Sequence, residues 1–234
     1  MAKHATSPCI RAAIAILILL TAPASSFAQR APIAKVEITT GSGSRGIMVR
    51  PVGDGPFPAV LHLHGSGDTV ANNVEFLEWF ARAGYVALDV DYRASSPGFI
   101  DVGDIDTSLE YLNTSGYVKS GAVAINGFSL GARLALREAT RRSVRAVSAI
   151  AARTSSGANP TILDQASRLT VPILLQHGTQ DSVVPYNDSV LLATKLKGLG
   201  RSVEFFSYQG ADHNTLPWNQ VYEKVLTFFQ THLR

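Results

Sequence analysis

Cysteine is almost missing from this 234-residue chain, and the single one, Cys9, lies in a segment expected to be removed. Without a second thiol there is no disulfide and no cysteine metal cage, so stability has to come from burial. Paired histidines at metal-ligand spacing and clusters of carboxylates are also lacking, which argues against a metal site. Charge is sparse at 17% of residues, and a pI near 9.1 suggests a basic protein. That suggestion is misleading, because Lys3 and Arg11 belong to the removable segment and their loss leaves 19 basic against 18 acidic residues. No dense basic stripe remains, so nucleic acid is not an expected partner.

Long apolar runs are scarce too. The one run without a break, Ala12 to Leu20, follows Lys3 and Arg11 and is about half of what a bilayer span needs. Ser26-Phe27-Ala28 then offers a small-residue cleavage site. Residues 1–28 are expected to be a secretory signal peptide, giving a secreted or periplasmic protein with no stable membrane insertion after cleavage. Residues 29–234, about 206 in number, suffice for one domain that buries roughly 70% of its unfolded surface.

What the chain does have is a focal stretch, Gly121 to Ala135. Val123-Ala124-Ile125 reads as a buried parallel strand, and Leu130, Ala132, Leu134 and Ala135 suit a packed helix. Between them lies Gly127-Phe128-Ser129-Leu130-Gly131, a G-x-S-x-G at a strand-to-helix junction. A serine there is held in a strained turn with its hydroxyl above the sheet edge. The flanking glycines are expected because a Cβ would crowd the neighbouring strand or helix.

The rest of the chain alternates strand and helix. Ile33 to Arg50 predicts an antiparallel hairpin at a sheet edge. Its turn, Gly41-x-Gly43-x-x-Gly46, imitates a dinucleotide fingerprint but opens a strand rather than a helix, so no dinucleotide is expected. Pro58 to His64 and Tyr85 to Val90 predict strands, separated by a helix that Asn72 or Asn73 could cap. A loop from Asp91 to Gly98 and a helix from about Val102 to Leu112 lead to the focal strand. Arg141, Arg142 and Arg145 are expected as cations at the C-terminal end of the serine's helix. Further strands are predicted at Ala146–Ala151, Val171–Gln176 and Ser202–Tyr208, with helices at Tyr186–Leu196 and from Trp218 onward. Thr154 to Thr170 is too short for a lid domain. Such alternation argues for a mostly parallel sheet with helices on both faces.

In that architecture reactive groups gather past the C-terminal ends of the strands. Ser129, Asp181 and His213 each follow one, in an order matching a nucleophile, an acid and a base. A serine hydroxyl needs a base titrating near neutrality, which His213 supplies, while Asp181 would hold the imidazole's other N–H. The Leu130 amide and one from His64–Gly67, Ser66 first and Gly65 second, would bind an oxyanion. Asp188 and Asp212 compete with Asp181, Asp188 being better explained by a helix's first turn and Asp212 lying awkwardly close to His213. His62, His64 and His177 are expected to pack or to anchor loops.

These motifs resemble those of the α/β hydrolase superfamily, in the dienelactone hydrolase-like branch that adjoins the prolyl oligopeptidase-like esterases. The residues are His64-Gly65-Ser66-Gly67, Gly127–Gly131, His177-Gly178-Thr179-Gln180-Asp181-Ser182-Val183-Val184-Pro185 and Gly210-Ala211-Asp212-His213. The resemblance implies an α/β hydrolase fold with no large cap and a serine hydrolase of carboxylic esters that needs no cofactor. Dienelactone hydrolases proper carry cysteine where Ser129 stands, and a glutamate where His62 or His64 falls. Arg93 stands where that family grips a substrate carboxylate, and the resemblance makes it an anion contact. Peptidase or acyltransferase chemistry with the same triad, and a catalytically silent binding protein on this fold, are the alternatives.

Overall fold

The computed structural model describes residues 31–96, 99–100 and 102–233. The leader expected over residues 1–28, and Pro97 and Gly98 of the expected loop, lie outside them. The strands are β1 (Ile33–Thr39), β2 (Arg45–Pro51), β3 (Phe57–Leu63), β4 (Val86–Val90), β5 (Ala94–Ser96), β6 (Phe99–Ile100), β7 (Val118–Phe128), β8 (Val147–Ile150), β9 (Ile173–Gly178) and β10 (Val203–Tyr208). The α-helices are α1 (Val74–Arg82), α2 (Val102–Thr114), α3 (Leu130–Ala139), α4 (Tyr186–Gly198) and α5 (Trp218–Leu233).

Eight strands form one sheet in the order β1-β2-β4-β3-β7-β8-β9-β10. The β1–β2 hairpin is antiparallel, as its alternating sequence predicts, and β2 meets β4 antiparallel. From β4 to β10 every pairing is parallel. Central strands such as β4 are buried along their whole length, which is why they read as unbroken apolar runs. One face packs Leu61, Leu88 and Ile125 against Ile105 and Leu112 of α2, Leu136 of α3 and Leu196 of α4. The other packs Val60, Ala87 and Ala124 against Leu77 and Phe80 of α1 and Val225 and Phe229 of α5. Fully burying Phe80 or Phe229 stabilises the fold by about 1.5–3 kcal/mol each.

The chain leaves β3 toward β4 on one side and returns to β7 on the other. The C-terminal ends of β3 and β7 therefore flank the crevice where the strand order reverses. The decoy glycines fall in the β1–β2 turn, and Gly46 is glycine because a Cβ would lie 2.9 Å from Asp89 O.

Two local expectations need correction, and a third gains partners. Asn73 is the residue before α1, but its side chain makes no capping bond, because a 3₁₀ turn over Val70–Asn73 already precedes the helix. Its amide instead reaches Asp68 Oδ2 (3.0 Å) and Thr69 O (2.9 Å). Arg141 and Arg142 do follow the C-terminal end of α3 and find carboxylates there: both pair with Asp106, and Arg141 also with Glu138. Arg145 donates to His232 O, at the end of α5. Finally, part of the expected Asp91–Gly98 loop forms β5, which pairs antiparallel with β6.

Candidate active site

Ser129 sits at the turn between β7 and α3 with φ 55° and ψ −113°, a conformation an L-residue adopts only under strain. Its amide is fixed to Ile150 O at 2.8 Å, so the neighbouring strand β8 holds the turn. The glycines of the motif have the predicted reason. A Cβ on Gly127 would lie 2.3 Å from Gly131 O, and one on Gly131 would lie 2.0 Å from Leu63 O. Helix α3 thus starts in backbone contact with β3, and only hydrogen fits between them. Gly65 completes the approach, since its Cβ would stand 3.2 Å from the Phe128 ring and 3.8 Å from Ser129 Cβ. Gly65 is buried beside the serine, whereas Ser66 is exposed.

Three loops converge at this turn. His213 Nε2 lies 3.0 Å from Ser129 Oγ, and His213 Nδ1 lies 2.7 Å from Asp181 Oδ2. Residues 84 and 32 positions apart in sequence are therefore joined in one line of hydrogen bonds. The His213 ring rests on Phe128 (4.9 Å between centroids), which is itself packed edge-on by Trp218. Gly178 lets the His213 loop pass, because a Cβ there would meet Ala211 O at 2.3 Å.

The Asp181 carboxylate is fully engaged. Oδ1 accepts from the amides of Val183 (2.9 Å) and Val184 (2.7 Å), and Oδ2 accepts from both His213 and His177 Nε2 (3.1 Å). Burial alone would raise its pKa, but the Val184 amide, His213 and the Val183 amide outweigh it and hold the group below the usual carboxylate range. Asp212 does other work: its Oδ1 accepts from Ser182 N and from His213 N, both at 2.7 Å, tying the acid and base loops together. Asp188 lies in the first turn of α4, as expected, where it accepts from Thr154 N (2.7 Å) and Ser155 Oγ (2.7 Å).

The other histidines anchor, and one does more than the sequence suggested. His64 stacks on Tyr92 at 4.3 Å, while the Tyr92 hydroxyl donates to His64 O. His62 accepts from Asn126 Nδ2 (2.9 Å) and faces Asn73 Oδ1 (3.4 Å), joining β3 to β7. His177 is fully buried, takes Ser189 Oγ on Nδ1 at 2.7 Å, and turns Nε2 to Asp181. Burial lowers its pKa despite the nearby Asp181, so the neutral ring donates to the carboxylate without neutralising it. The sequence signal was present in the four-residue spacing of His177 and Asp181, but a strand-end histidine gives no sign of where its ring turns.

Arg93 grips a protein carboxylate. Its Nη2 lies 2.6 Å from Asp104 Oδ1 and its Nε 3.1 Å from Oδ2. Asp104 is fully buried; burial would raise its pKa, but the Arg93 bonds hold it well below the usual range. Leu130 is the first residue of α3, so its amide has no intrahelical partner. Among the described residues no three His, Cys, Asp or Glu side chains gather as metal ligands.

The model of the family described as phospholipase/carboxylesterase matches residues 102–233, more than half of the chain. The chain belongs to this family. It is 29% identical over 208 residues to a Bradyrhizobium protein named as a probable 2-oxo-3-(5-oxofuran-2-ylidene)propanoate lactonase, covering 76% of this chain and 82% of that one. It is 25% identical over 216 residues to acyl-protein thioesterase 1 of Gibberella zeae, covering 75% and 92%. In three dimensions it resembles a Klebsiella pneumoniae protein named as a dienelactone hydrolase (TM-score 0.74, 18% identity, 86% of this chain and 100% of that one). It also resembles the Pyrococcus horikoshii acylaminoacyl peptidase (TM-score 0.75, 16% identity, 90% of this chain and 43% of that one). The fold is that of the α/β hydrolases, and the protein is a serine hydrolase of ester substrates.

Proposed function

We propose that Ser129, His213 and Asp181 act as a catalytic triad that cleaves carboxylic esters through an acyl-enzyme. His213 Nε2 takes the Ser129 proton as Oγ attacks the ester carbonyl, forming a tetrahedral oxyanion. The Leu130 amide and an amide of the His64–Gly67 loop, Ser66 being our choice, receive that oxyanion at the start of α3. The imidazolium then protonates the leaving alcohol, and the acyl group stays on Ser129. Water, deprotonated by the same imidazole, releases the acid. Asp181, ionised through its four donors, steadies the imidazolium in both halves of the cycle.

The observation that carries this reading is the continuous line from Ser129 Oγ through His213 to Asp181, at 3.0 and 2.7 Å. The substrates named for the relatives, a lactone and an acyl-protein thioester, are both activated carboxylic acid derivatives. The test is covalent labelling by a fluorophosphonate with peptide mapping, together with turnover of p-nitrophenyl acetate. Modification of Ser129 is the expected result; a folded protein that resists the reagent and leaves the ester intact would remove the proposal.

We also infer that residues 1–28 are a signal peptide and that the enzyme works in the periplasm or outside the cell. Lys3 and Arg11, the apolar run and Ser26-Phe27-Ala28 support this. N-terminal sequencing of the exported protein should begin at Gln29; an intact Met1 on exported material would contradict it.

A further inference from the structure

Both nitrogens of the His213 ring are engaged, Nδ1 with Asp181 Oδ2 at 2.7 Å and Nε2 with Ser129 Oγ at 3.0 Å. When Oγ gives up its proton the ring becomes a cation, and that charge spreads over the whole imidazole. Asp181 meets it from one end. Asp212, next to His213 in the chain, is bound to the Ser182 and His213 amides at 2.7 Å each. A further carboxylate at Nε2 would compete for the proton that the leaving alcohol has to receive. Support through the ring's face is free of that conflict, because a π-system attracts a cation without accepting its proton.

Phe128 is placed to give that support. Its centroid lies 4.9 Å from that of His213 with 34° between the planes, inside the range of about 6 Å for cation–π attraction. His213 is 5% exposed, so little water screens the pair. The placement follows from the strand: alternation puts Ala124, Asn126 and Phe128 on one face of β7, and Phe128 pairs in register with Ile150 of β8. Ile150 O also holds the Ser129 amide at 2.8 Å, so one neighbour sets the serine and the ring together. Trp218 of α5 stands edge-on to Phe128 at 5.1 Å and 82°, braced by Phe76 of α1 at 6.2 Å and by Tyr222 at 5.8 Å. Gly65 closes another side, where a Cβ would lie 3.2 Å from Phe128 Cδ1. The ring is thus fixed before the charge that it answers exists, which is the condition for stabilising a transient ion without reorganisation.

We propose that Phe128 is a positioning residue of the ester hydrolysis, whose π-face holds the His213 ring and stabilises the imidazolium formed in both halves of the cycle. The inference rests on the triad reading and adds a residue to it. A neutral imidazole gains less from the same contact, so the difference falls on the transition state and on kcat.

The test replaces Phe128 with 4-fluoro-, 3,5-difluoro- and 3,4,5-trifluorophenylalanine, which keep the ring's shape while withdrawing negative potential from its face. Steady-state turnover of p-nitrophenyl acetate is the readout. The value of kcat should fall stepwise with each fluorine, by about five- to tenfold at the third, with KM within about twofold of the wild type's. Phe128→Tyr should keep most of kcat, and Phe128→Leu should lose about tenfold. A kcat that is flat across the fluorinated series would overturn the proposal even with an inactive Phe128→Leu, because shape alone would then explain the residue. A loss confined to KM would overturn it too, by placing the ring on the substrate instead of on His213. Either result leaves an active enzyme and the triad intact. A wild-type protein that neither turns over the ester nor takes a fluorophosphonate would remove this inference and the triad reading together.

Discussion

Two buried groups, one on β3 and one on α3, titrate in the same pH window with opposite effects on stability, and replacing either should expose the other. His62 joins β3 to β7, and burial, reinforced by the charge of His64 and only partly opposed by Asn73 and Asp68, lowers its pKa from 6.5 to about 4. The folded protein therefore binds fewer protons there than the unfolded chain between about pH 4 and 6.5. At about 1.4 kcal/mol per pH unit, acidification across that window costs about 3 kcal/mol of stability. Glu138, in the last turn of α3, is raised by burial from 4.5 to about 7, with Arg141 opposing only part of the effect. Here the folded state binds the extra proton, so stability is gained as pH falls from about 7 to 4.5, again by about 3 kcal/mol. His177 and Asp89 add to the two signs, being lowered and raised respectively, mainly by burial. Urea unfolding of the wild type should show a shallow pH dependence from 7 to 4.5. His62→Gln should become more stable on acidification relative to the wild type, and Glu138→Gln less stable. Identical pH slopes in the wild type and both variants would refute the assignment of these charges.

Other substitutions test the packing beneath the site. Gly131→Ala puts a methyl 2.0 Å from Leu63 O, where no flexible side chain can yield, and should cost about 3 kcal/mol or more in urea melts together with loss of fluorophosphonate labelling; wild-type stability would contradict the close approach of α3 to β3. Arg93→Gln leaves the buried Asp104 without its cation and should destabilise by about 3 kcal/mol, with Arg93→Gln/Asp104→Asn recovering part of the loss. His177→Gln removes one donor from Asp181 and should lower kcat about tenfold with KM little changed, the fall being steeper below neutral pH. A rise in KM alone would show that the ring only packs.

Much of this molecule was legible before any coordinates. The β1–β2 hairpin announced itself through alternation, and the central strands through apolar runs short enough to be strands. Ser129 was marked by glycines whose reason, backbone meeting backbone at Gly127 and Gly131, is local and so recoverable from sequence. What escaped was long-range. Asn73 looked like a cap, but the 3₁₀ turn before α1 freed its amide for Asp68 and His62. Arg141 and Arg142 read as cations at the end of their helix, with no sign that Asp106 on α2 would face them. Arg93 carried no sign that Asp104, eleven residues on, would turn inward to meet it. Periodicity reports which face is buried, whereas the partner of a long polar side chain is set by tertiary geometry.

The relay from Ser129 through His213 to Asp181 is the claim on which the mechanism depends. Its most direct test is the steady-state kcat of purified Ser129→Ala on p-nitrophenyl acetate, measured beside a wild-type protein of equal urea stability. The account predicts a fall of about 10⁴-fold or more. A folded Ser129→Ala enzyme that turns over the ester at a rate near the wild type's would contradict it.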